Sequence, residues 1–391
     1  MTSASIVGIG QTEFSTRSGR SELRLALEAI KAAIADAGLA LGDIDGFVRY
    51  TWDNNSEAML TSSLGLRNVR YYGEVEHGGV NCCGAVAQAA DAIMAGRASC
   101  VVVYRALNAR SGTRYGRADR YFQASGGETL VSLREPPGDI YTAPFGLLVP
   151  TQFHAMYARR YMHEYGLDEE GLTQMLGAIA VSQREYANRN PRAMLHDREL
   201  TLEQYRAARV ISEPLRLYDV CLETDGAMAL VLVRTESGRS FPKPPVEVLA
   251  GSQHLRRFSA PMLLYNDDLH VCSPPEVASE LYARAGVSPR DVDVAMLYDS
   301  TSMLVPMALE AFGFAEPGGS HAFFTTGQNR IGGRLPINTH GGLLSEGYFH
   351  GLNSIAEGVR QIRGDSYNQR EGARVALITV RGASSLILGR A

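Results

Sequence analysis

Two adjacent cysteines, Cys82 and Cys83, stand in EHGGVNCCGAVAQAADAIMAG (residues 76–96), where a glycine pair runs into a segment of small apolar residues. A thiol at a helix N-terminus is a ready nucleophile, because the dipole and the free N–H groups favour the thiolate. The pair therefore raises covalent catalysis first. The remaining candidates narrow the field. Five cysteines are spread over 391 residues without a Cys-x-x-Cys pair, and nine histidines are scattered, so neither a disulfide framework nor a metal site is expected. The Gly-x-Gly fragment of GIGQTEF is too short for a nucleotide fingerprint.

The elements that must position these residues follow from periodicity. ASIVGIG reads as a short buried strand, and SELRLALEAIKAAIADAGL (21–39) as a helix. Leu23, Leu27, Ile30, Ile34 and Ala37 form its apolar stripe, Ser21 caps it and Gly38 ends it. LGDIDGFVRY is an acidic turn feeding a strand that ends on Tyr50. The same pattern returns 248 residues later: AGLALGDIDGFVRY (37–50) and AGVSPRDVDVAMLYDS (285–300) share Ala-Gly, an Asp-apolar-Asp step, an apolar run and a tyrosine. A glycine pair, a buried helix and an apolar strand also recur, at 78–104 and 341–380. The chain thus reads as a duplicated α/β unit, residues 1–236 and 246–391, joined by SGRSFPKPP. Residues of about 105–215 interrupt the first half as an inserted loop domain holding RALNARSGTRYGRADR, a Pro/Gly-rich stretch and a helical pair.

Composition sets the outer limits. With 45% apolar residues the chain can bury a large core, and a net charge of -4 gives no reason to expect nucleic acid or anionic membrane as a partner. MTSASIVGIG lacks a basic and apolar leader, and no apolar run approaches the roughly 18–20 residues of a membrane span. A cytoplasmic protein is expected.

ETDGAMALVLV (223–233), DVDVAMLYDS (291–300), GQNRIGGRLPINTHGGLLSEGYFHG (327–351) and the helix after Gly78-Gly79 together resemble the thiolase superfamily, in its sterol carrier protein X type. The resemblance spans nearly the whole chain and implies the thiolase fold: duplicated, five-layered αβαβα halves forming a homodimer. In that family a catalytic histidine follows the Asn-x-x-Gly-Gly stretch; the count from Gly342 reaches Gly347-Tyr348 instead. The second histidine, after the Asp-apolar-Asp strand, is replaced by Tyr298. The nucleophilic cysteine lies seventeen residues before the glycine closing an Ala-Ile-x-Ala-Gly helix; seventeen before Gly96 is Gly79. Cys82 and Cys83 fall about one turn further in, pointing elsewhere, and no cysteine follows Cys272 to serve as the C-terminal base.

The resemblance therefore implies thioester chemistry without a thiol. Retro-aldol cleavage of a β-hydroxyacyl-CoA needs an oxyanion site and a base, but no nucleophile. RLPINTHGG, YRALNARSG and HGLNSIAEGVRQIRG are similar to the steroid side-chain-cleaving aldolases of actinobacteria in particular. These release a D-ring ketone and propionyl-CoA from a 17-hydroxy-steroid acyl-CoA, and bind a small OB-fold and zinc-ribbon partner in a heterotetramer. Tyr298 and Tyr348 are then the general acid/base and the oxyanion donor, in an open order. His350 tunes Tyr348 or caps a helix; Asp299 orients a phenol or caps one. Gly79 leaves room for an anionic oxygen near a helix N-terminus. Asn338 and His340 shape the loop or bind substrate. Arg110, Arg114, Arg117 and Arg120 supply cations for coenzyme A phosphates or form a solvated basic loop. No cofactor is expected beyond the coenzyme A of the substrate. Two other readings stay open: an acyltransferase using Cys82 or Cys83 through a shifted helix start, and a non-catalytic acyl-CoA or lipid carrier or scaffold.

Overall fold

A computed structural model describes residues 3–76, 78–112, 114, 142–236, 238–255 and 266–391. The first part of the chain forms β1 (Ala4–Gln11), α1 (Glu22–Asp36), β2 (Gly46–Tyr50), α2 (Glu57–Leu64), β3 (Tyr71–Val75), α3 (Cys82–Met94) and β4 (Cys100–Asn108). There follow α4 (Pro150–Tyr165), α5 (Glu169–Arg189), α6 (Leu202–Ala207), a ribbon of β5 (Val210–Ser212) and β6 (Leu215–Arg216), and β7 (Asp225–Arg234). The second part holds β8 (Val246–Gln253), α7 (Pro275–Ala285), β9 (Val294–Leu297), α8 (Leu304–Ala311), α9 (Ser320–Thr325) and α10 (Gly342–Ser345). It closes with α11 (Leu352–Arg363), β10 (Val375–Val380) and β11 (Ser384–Arg390).

The strand order is β3-β2-β4-β7-β1-β8-β11-β10-β9. Read outward from the β1–β8 junction, each side repeats the other. β1 and β8 meet antiparallel through Ser5↔Glu247 and Ile6↔Val246; β7 and β11 flank them antiparallel; β4 and β10 come next, parallel to β2 and β9. Helix α1 packs on β1, β7 and β4, α7 packs on β8 and β11, and α3 and α11 touch strands of both sides. The layers are therefore helix, strands, two central helices, strands and helix. This is the five-layered αβαβα arrangement of the thiolase fold.

The repeated Asp-apolar-Asp step has a physical reason. Asp43 accepts the Ala40 N–H (2.9 Å) and Asp291 the Ser288 N–H (2.8 Å), each capping a short 3-10 turn. Asp45 then accepts Ser99 and Cys100 N–H groups at 2.8 Å, as Asp293 accepts Arg374 and Val375 at 2.7 and 3.0 Å. Each second aspartate thereby tethers the start of the neighbouring parallel strand. Gly38 and Gly286, at φ of +67° and +68°, end the preceding helices alike.

Ser21 caps α1 as expected, but the buried face is rotated from the expected stripe: Leu25, Ala26, Ala29, Ile30, Ala33 and Ile34 are buried, whereas Leu23 and Leu27 are only partly so. The cause lies in β1. A Cβ on Gly8 would sit 2.1 Å from the Ala33 carbonyl oxygen and one on Gly10 1.9 Å from that of Ala29. The Gly-x-Gly fragment is the seat of a helix that packs backbone against strand. No helix among the described residues is long and apolar enough to cross a membrane.

Candidate active site

The ends of β2 and β9 and the N-termini of both central helices converge on one spot, the crevice position that open α/β sheets use for ligands. Tyr298 leaves β9 with its N–H on the Thr379 carbonyl (3.0 Å). Tyr348 comes from the loop before α11, its N–H donating to Thr224 Oγ1 at 3.0 Å. The two hydroxyls are 3.0 Å apart, and the rings meet edge to face. Phe349, buried and stacked on Phe14 at 4.1 Å, anchors that loop, and His350 and Gly351 turn it with φ of +51° and +83°.

Gly79 lies directly against this pair, in the 3-10 turn Gly78–Asn81 ahead of α3. A Cβ there would be 2.4 Å from Tyr298 Oη and 2.9 Å from His350 Cδ2. The phenol thus fills the space that a side chain at position 79 would need, so a residue 79 nucleophile and Tyr298 exclude one another. Burial pushes the Tyr298 hydroxyl well above its ordinary pKa, and Tyr348 beside it adds to the rise. Tyr298 is a proton donor at rest.

His350 is buried, and Arg105 Nε donates to its Nδ1 at 2.9 Å. Arg105, on β4, also donates through Nη1 to the Trp52 carbonyl (2.8 Å) and to Asp53 Oδ2 (3.1 Å). Burial first, then the Arg105 charge, hold the imidazole well below its ordinary pKa. The expectation that His350 only tunes Tyr348 or caps a helix omitted this partner. Arg105 and Asp53 carried no motif in the sequence; a lone arginine inside the apolar run CVVVYRALN was the available signal.

Other expected residues lie further back. Asp299 accepts Leu343 N–H (3.0 Å) and Leu344 N–H (3.3 Å) at the start of α10, and burial pushes its carboxyl up to about 7. Of its two expected roles, the structure shows the cap. Asn338, at φ +53°, bonds both ways with the Leu297 backbone at 2.9 and 2.8 Å, extending the edge of β9. His340 faces Ser354 Oγ (3.3 Å) beside Glu346, and burial lowers it to about 3, leaving it neutral. Both shape the loop from behind. Arg110 and Arg114 converge on Glu223, at 3.3 and 2.5 Å. Arg117 and Arg120 lie outside the described residues.

Glu223, Thr224 and Asp225 act in sequence. The first holds the two arginines and the second the Tyr348 backbone, while Asp225 takes the Arg110 and Ser111 N–H groups at 2.9 and 3.0 Å. Cys82 does not point away from the site as expected: a Cβ on Gly351 would be 2.7 Å from its sulfur and 3.3 Å from the Tyr298 ring. It packs behind that ring, fully buried, and Cys83 donates to the Ile378 carbonyl at 3.7 Å with its thiol pushed up by burial.

Residues 258–387 match the family described as thiolase C-terminal domain-like. A steroid side-chain-cleaving aldolase of Thermomonospora curvata is 44% identical over 392 residues, covering 99% of this chain and 97% of that one. The chain belongs to this aldolase family of the thiolase superfamily. This chain is also 40% identical to the 17-hydroxy-3-oxo-4-pregnene-20-carboxyl-CoA lyase of Mycobacterium tuberculosis, over 99% of each chain. Among solved structures it is similar to an Ltp2-ChsH2(DUF35) aldolase, with a TM-score of 0.88, 42% identity, and coverage of 99% and 98%. As a carbon–carbon lyase it has no use for a thiolase nucleophile, in keeping with the phenol packed against Gly79.

Proposed function

We propose that this aldolase cleaves a β-hydroxyacyl-CoA whose β-carbon is the 17-hydroxy carbon of a steroid, yielding a D-ring ketone and a short acyl-CoA such as propionyl-CoA. The observation that carries the reading is the pair of phenol oxygens 3.0 Å apart, packed against Gly79. A base takes the β-hydroxyl proton, the electron pair of the Cα–Cβ bond moves onto the thioester as an enolate, and an acid returns a proton to Cα. Tyr298, buried and protonated, is assigned as donor to the enolate oxygen. Tyr348, only half-buried, is assigned the proton exchange with the β-hydroxyl, since ionising it costs less desolvation than ionising the fully buried Tyr298.

The remaining assignments rest on placement and likeness. Arg110 and Arg114, with Arg117 and Arg120, would meet the coenzyme A phosphates, which must then compete with Glu223. Asp299, Asn338 and His340 support the loop without touching substrate. A homodimer joined by a small OB-fold and zinc-ribbon partner is supported, as to the partner, by the similarity to the solved Ltp2-ChsH2(DUF35) aldolase.

Tyr298→Phe and Tyr348→Phe, assayed with the partner present on a 17-hydroxy-steroid acyl-CoA, should each lower cleavage by at least about a hundredfold, as positioned acid–base groups contribute 10²–10⁴. Near-normal rates in both would remove the mechanism. Mass spectrometry after incubation with acyl-CoA should find no acyl group on Cys82 or Cys83. Tight acyl-CoA binding without cleavage by the complex would instead point to a carrier.

A further inference from the structure

We propose that Arg105, clamped by Asp53, is a positioning residue for cleavage: its Nε–H fixes His350 as the neutral tautomer protonated on Nε2, which donates to oxygen beside Gly79. The proposal rests on the aldolase reading above and assigns one more donor within that site.

The geometry leaves one tautomer. A guanidinium does not lose its proton in a protein, so at 2.9 Å the Arg105 Nε–H must be the donor and His350 Nδ1 the acceptor. The single proton of the neutral ring is then on Nε2. That nitrogen adjoins Cδ2, the ring atom that a Cβ on Gly79 would approach to 2.9 Å. A second proton could enter only at Nδ1, which would break the bond from Arg105 and set two cations side by side. A neutral imidazole held as an N–H donor can polarise a carbonyl oxygen, a role that burial and a fixed neighbour make effective.

The clamp itself is over-determined. The Arg105 side chain is 1% exposed and that of Asp53 0%. Asp53 Oδ2 also accepts the Ala106 N–H at 3.0 Å, and Oδ1 accepts the Asn55 N–H and Nδ2 at 2.9 and 2.8 Å. Arg105 Nη1 reaches the Trp52 carbonyl as well, so the guanidinium can neither rotate nor withdraw. A buried ion pair is a poor source of stability, because desolvation offsets the attraction. Here its rigidity has a direct consequence for the imidazole. Among the described residues, the groups facing His350 include Arg105 from β4, Tyr50 from the end of β2, Trp52 after it, Tyr348 from its own loop and Tyr298 and Cys82 across Gly351, with Asp53 behind Arg105. Arg105 is the cation of this set, and its charge acts with burial to keep the ring neutral.

The test is nitrogen NMR of the full-length chain labelled at histidine, with His350→Gln to assign the signal. Nδ1 should be unprotonated and Nε2 protonated across pH 5–8. Arg105→Met, together with Arg105→Met/Asp53→Asn to avoid stranding a buried carboxylate, should let the Nδ1-protonated tautomer appear and raise the pKa of His350 toward, without reaching, its ordinary value, because burial remains. The acid limb of kcat should shift upward with it. His350→Gln, which keeps an N–H donor, should retain kcat within about tenfold, whereas His350→Leu should lose at least about a hundredfold with little change in KM. Protonation on Nδ1 in the native chain, an unchanged tautomer and pH profile in both Arg105 variants, or equal losses in His350→Gln and His350→Leu would overturn the proposal. The tautomer is read without turnover, so failure of the two-phenol mechanism would leave this result standing and recognisable.

Discussion

Gly79 is the residue on which the site turns. Its lack of a side chain lets the Tyr298 hydroxyl occupy the position where a thiolase nucleophile would project. Gly79→Ala would bring a Cβ to 2.4 Å from that hydroxyl, too close for Tyr298 to keep its place beside Tyr348. Misplacement by about 1 Å can cost a hundredfold in rate, so kcat should fall by roughly tenfold or more while the thermal midpoint changes little. Steady-state kinetics beside a circular dichroism melt checks this; full activity would mean the contact is softer than its geometry. Position 79 could be found by counting seventeen residues back from Gly96, a step along the chain that needs no tertiary contact. Arg105 could not be found so, since its partner His350 lies 245 residues away.

Among the elements, α10 shows how the tyrosine loop is held. Asp299 follows Tyr298 and caps α10 through Leu343 and Leu344, while Asn338 extends β9. Burial raises Asp299 to about 7 from 3.8. Between about pH 4 and 7 the folded chain therefore holds a proton that the unfolded chain has released, and stability falls with rising pH. Asp299→Asn removes that dependence but leaves one N–H poorly paired, costing about 1–3 kcal/mol at low pH. The deficit of the variant should then narrow as pH rises from 4.5 to 7, by at most about 1.4 kcal/mol per pH unit. Urea titrations of both chains across that range measure it; a constant difference would show that Asp299 is ionised throughout. The duplication was legible in the sequence because both halves tether their parallel strands with the same two carboxylates. The rotation of α1 toward its alanines was not, since it depends on glycines of a strand elsewhere in the chain.

At the scale of the molecule, β3 is an edge strand whose Tyr72 is 70% exposed, with Trp52 and Met59 also exposed. An edge strand of this kind invites pairing, and it is the place where the expected homodimer can be tested. Sedimentation should give twice the chain mass, and Tyr72→Lys should shift the equilibrium toward monomer. A Tyr72→Lys chain that sediments like the unaltered one would place the dimer contact elsewhere.

The amino-acid sequence alone determined the α/β duplication, and its resemblance to the thiolase superfamily implied tyrosines at both histidine positions and a glycine at the nucleophile position, because each is a matter of residue type at a fixed interval along the chain. Only the tertiary structure decided that the phenols touch, that Asp299 and Asn338 bond to backbone, and that Arg105 donates to His350. Those facts depend on which strand ends and helix starts meet. In a fold whose halves interlock across two central helices, that meeting is set by packing between residues hundreds of positions apart.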